Sequence, residues 1–201
     1  MKTRFTQAIS NEHLILSLNK KLEQFIYRRV TEQQLLCITK HEGWSSRAFY
    51  DGEFYDDNQE ENLVMILKKY GYDHFFALPF LGDFPGQTDL STSFYAQSRP
   101  EAIEELRLYG FCDWYIIIAG KPDLIILLAH QEDFMIVMGE HEIFDGICGY
   151  FPSETWTGLD EMANSDKMHP NLRRIYTNLI DGLNSTYMSA KPGDILTIDL
   201  V

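Results

Sequence analysis

Apolar positions follow two spacings along the chain, and each spacing predicts its own kind of element. From Asn11 to Val30, apolar Leu14, Ile15, Leu18, Leu22, Phe25 and Ile26 recur every three or four residues, which predicts one amphipathic helix. Thr31 and Gln34 make a T-x-x-Q capping box, so a second helix is expected from about Glu32 to just before Gly43. Asp51-Gly52 then stands between two aromatic-rich runs. Both residues tolerate positive φ, which predicts a hairpin turn. "NQEENLVMILKKYG" reads as a helix with Asn58 at its N-cap, acids in the first turn, lysines in the last and Gly71 just beyond.

"HFFALPFL" and "TSFYAQ" are expected strands. Ser98 to Glu101 form a second capping box, opening a helix with Ala102, Ile103, Leu106 and Tyr109 on one face. Between Trp114 and Met138 lie three apolar runs, parted only by Gly120-Lys-Pro-Asp and Gln131-Glu-Asp. Such links are too short for crossovers, so the strands must form an antiparallel meander. The near-continuous Ile and Leu of its first two strands imply cover on both faces. A helix over about 170–183 and a strand "ILTIDL" after a Pro-Gly turn complete the pattern.

These elements predict an α+β fold: an antiparallel sheet, its central meander at about 111–138, with helices packed largely on one face. The 201 residues suit a single domain, 1–201, with a helical, net-basic N-terminal segment at about 1–42.

Charge narrows the class of partner. The net charge is −13, and it is unevenly spread. Residues 1–40 hold seven basic and three acidic residues, whereas the remainder holds 10 basic and 27 acidic. An acidic surface of this kind repels nucleic-acid phosphates and anionic lipid and attracts basic proteins. No apolar run approaches the roughly twenty residues of a membrane span. Three cysteines, Cys37, Cys112 and Cys148, each lie in an apolar segment. That odd count suits reduced thiols, and a cytoplasmic location is expected.

The chemistry is sparse. Nucleophile-elbow, phosphate-loop and dinucleotide motifs are all missing, so no catalytic residue and no cofactor are expected. His141, Asp145 and Cys148 would share a face if 140–148 were helical, but Gly139, Gly146 and Gly149 argue for a polar turn after a strand, and no metal is expected there. The densest feature is "DGEFYDDNQEEN". Its acids fail the calcium-loop spacing, because Asp56 and Asn62 stand where glycine and glutamate are needed. Asp51, Glu53, Asp56, Asp57, Glu60 and Glu61, interleaved with Phe54 and Tyr55, instead suit a patch that docks a basic surface. The expected function is therefore a non-enzymatic acidic protein that masks a basic protein partner, in the manner of an immunity protein or inhibitor. The alternative is a ligand- or metal-binding domain or enzyme, with a pocket near His130, His141, Asp145 and Cys148.

Overall fold

The computed structural model describes residues 4–30, 34–50, 64–79, 93–108, 114–129, 134–148, 153–185 and 191–199. A short strand β1 (Thr6–Ala8) leads into helix α1 (Glu12–Leu22), then β2 (Ile26–Val30), β3 (Gln34–Thr39) and β4 (Trp44–Tyr50). Residues 64–69 form helix α2. Strands β5 (His74–Pro79) and β6 (Phe94–Gln97), helix α3 (Pro100–Leu108), and strands β7 (Trp114–Ala119), β8 (Leu124–Ala129) and β9 (Phe134–Glu140) follow. The chain closes with α4 (His141–Cys148), α5 (Ser153–Ala163), α6 (Pro170–Leu179), a π-helical turn (Ile180–Ser185) and β10 (Ile195–Asp199).

Seven strands make one antiparallel sheet in the order β1-β6-β5-β7-β8-β9-β4, and β10-β3-β2 make a second. The expected meander β7-β8-β9 is the centre of the large sheet. Alternate residues of a strand point to opposite faces, and here both faces are buried. Leu124 and Ile126 of β8, with Met135 and Val137 of β9, enter one core. Ile125 and Leu127, with Phe134, Ile136 and Met138, enter the other. Helices are shared between the faces. Residues of α2, α3 and α4 complete the first core, while the second is closed by α1, α5, α6 and the inner face of the small sheet.

The N-terminal segment departs from the expected pair of helices. Asn11 caps α1, its side chain accepting from the Leu14 N–H at 3.2 Å, and the helix stops at Leu22. Phe25 and Ile26 continued the helical spacing by coincidence. Ile26 opens β2, and its side chain is buried in the second core from a strand. The segment expected as a second helix is β3. Leu36 and Ile38 point inward as a period-two pair, and the strand is held between β2 and β10. A short apolar run such as "LLCIT" fits either period, and pairing with distant β10 decides between them. The 31–33 part of that capping box and the Asp51-Gly52 turn lie outside the described residues.

Ser98 is also not the cap it resembles. Its hydroxyl donates to the Tyr72 carbonyl at 2.6 Å, and the first α3 bond runs from the Ala102 N–H to the Arg99 carbonyl. The β7–β8 turn relies on Gly120, whose φ of 72° is strained for other residues. A Cβ there would also meet the Asp123 carboxylate, which accepts from the Tyr72 hydroxyl at 2.7 Å. Burial, that hydrogen bond and the negative charges of Asp123 and Glu140 all push the Tyr72 phenol upward.

Strand β1 is only three residues long, and one carboxylate anchors it. Glu105 Oε2 accepts from the Phe5 N–H at 2.9 Å, the Thr6 N–H at 3.0 Å and the Thr6 hydroxyl at 2.8 Å. Burial raises the Glu105 pKa, but the three donors and the charge of Arg4 more than offset this and leave it below its ordinary value. A carboxylate lowered in the folded state stabilises above the ordinary glutamate range, and that contribution is lost as pH falls through the folded value. We predict that amide protection of Thr6–Ala8 fades on acidification before that of β7–β9. Glu105→Ala should cost about 1.5–3 kcal/mol of β1 docking by removing hydrogen bonds to a charged group. Hydrogen exchange that leaves β1 equally protected in the variant would show that the carboxylate is no anchor. For the core, Ile117, which is 2% exposed, should cost about 2–5 kcal/mol when cut to alanine, as measured by chemical denaturation.

Candidate functional site

Helix α4 starts directly after β9. The His141 N–H donates to the Gly43 carbonyl at 2.9 Å, which fastens the helix start to the chain entering β4. Residues 141–148 are helical, so the expected polar turn is instead an amphipathic helix. Ile143, Phe144 and Ile147 provide its buried face, and this apolar spacing outweighs the cost of Gly146. His141 and Asp145 are exposed on it. The imidazole Nδ1 of His141 is hydrogen-bonded to the hydroxyl of Ser45, a buried residue of β4. A hydroxyl both donates and accepts, so this link can form with either state of the ring. Sequence spacing gave no hint of Ser45, because the pair depends on the β4–β9 register that sets Ser45 opposite Gly139.

This arrangement pins an edge strand to a helix. Among the described residues no group of three His, Cys, Asp or Glu side chains is placed to hold a metal ion. His130 and the side chain of Cys148 lie outside the described residues, so the alternative pocket is represented only by His141 and Asp145. Three other described histidines, His41, His74 and His169, have structural contacts. His41 Nε2 bonds the Gln24 carbonyl at 2.9 Å, and its ring packs on Phe25, which in turn packs on Trp44. His74 stacks on Tyr95 with ring centroids 4.7 Å apart. His169 caps α6, accepting from the Asn171 N–H at 3.3 Å. On the other face of β4, Lys40 donates to the Ser46 hydroxyl at 3.3 Å, and burial lowers the pKa of its amine.

The expected docking residues Asp51, Glu53, Phe54, Tyr55, Asp56, Asp57, Glu60 and Glu61 all fall in 51–63, outside the described residues. The point where that segment leaves the sheet is described, and it has company. Tyr50 stands opposite Phe134, Phe134 opposite Ala129, Ala129 opposite Trp114, and Pro79 opposite Tyr115. One end of the large sheet is thus a row of five strand termini. The sequences joined to it are 51–63, 80–92, 109–113 and 130–133. They contain six, two, one and two acidic residues respectively, and no lysine or arginine. The opposite end of the sheet is mixed. It carries Lys40, Arg99 and Lys121 together with Glu42, Asp73, Asp123 and Glu140.

No helix among the described residues is long and apolar enough to cross a membrane. The chain matches no protein-family model, no curated protein and no solved structure.

The Ser45–His141 pair should behave as a structural link. His141→Ala is expected to cost about 0.5–1.5 kcal/mol in chemical denaturation, the usual worth of one hydrogen bond. The purified protein should carry no zinc that this variant loses. Near one equivalent of zinc by plasma emission, absent from His141→Ala, would replace the structural role with a metal site.

Proposed function

We propose that this is a non-enzymatic acidic protein that binds and masks a basic protein partner. The observation that carries the proposal is the row of strand termini joined to eleven acidic residues without one lysine or arginine. Four separate connections, distant in sequence, join one end of a single sheet. Charge concentrated in this way raises the encounter rate with a cation-rich surface and disfavours anionic partners. Tyr55 and Phe54 within the most acidic connection provide apolar contact that salt does not weaken. The mixed charge at the other end gives the molecule a binding pole.

The partner is to be recovered by co-purification from native lysate with cross-linking at 51–63, and its association then followed by stopped flow. Asp56→Lys combined with Glu60→Lys should slow association and flatten its dependence on salt, because screening acts on this long-range term. Tyr55→Ala should chiefly speed dissociation. An association rate and salt slope left unchanged by the charge reversals would remove the electrostatic basis of the proposal.

A further inference from the structure

We draw no further inference here: the strongest candidate, the half-exposed aromatic cluster of His74, Phe76 and Tyr95 on strands β5 and β6 near the outer edge of the large sheet, is an open sheet face, and nothing in the structure shows what covers it.

Discussion

The structure depends on burial of the β7-β8-β9 meander from both sides. Each of these strands sends successive side chains into different cores, so neither face can be solvated. That requirement recruits the rest of the chain. Helices α2, α3 and α4 close one face, and α1, α5, α6 and the small sheet close the other. A two-sided strand also fixes its register on both faces at once. A slip of one residue would exchange Ile126 with Ile125 or Leu127, and with them the partners in both cores. The strand ends are therefore held in set positions, which gives the acidic connections a fixed point of departure.

How much of this was legible in the sequence varies with the range of the forces involved. The meander was legible because its links are too short to do anything else, and its apolar density requires two covers. The buried face of α3 follows from local spacing, whereas the Asn11 and His169 caps of α1 and α6 were not anticipated. Strands β2 and β3 were not legible. Their apolar runs fit helix and strand alike, and pairing with β10, some 160 residues away in the chain, settles the choice. Helix α4 failed for the opposite reason. Its glycines spoke locally against a helix, and the gain from burying Ile143, Phe144 and Ile147 overrides them.

The candidate site was legible in the same uneven way. The run Asp51 to Glu61 stands out by itself, whereas Asp83, Asp89, Asp113, Glu132 and Asp133 are ordinary scattered acids in one dimension. Only the pairing of Pro79, Trp114, Ala129, Phe134 and Tyr50 shows that their segments join one end of the sheet. Ser45 is a similar case. Nothing near it in sequence marks it as the partner of His141, and the β4–β9 register alone brings the two together.

The geometry of that end bears on the function proposed above. Adjacent strands lie about 4.8 Å apart, so five termini in a row span about 19 Å. At physiological salt the Debye length is about 8 Å, longer than the spacing of adjacent termini and shorter than the whole front. The segments that leave these termini hold eleven acidic residues and no lysine or arginine. In the proposed function, a basic partner would be drawn to such segments by charge, and a neutral partner of the same shape would not. The two-sided core thus does more than stabilise the sheet: it holds in register the termini from which the acidic segments leave.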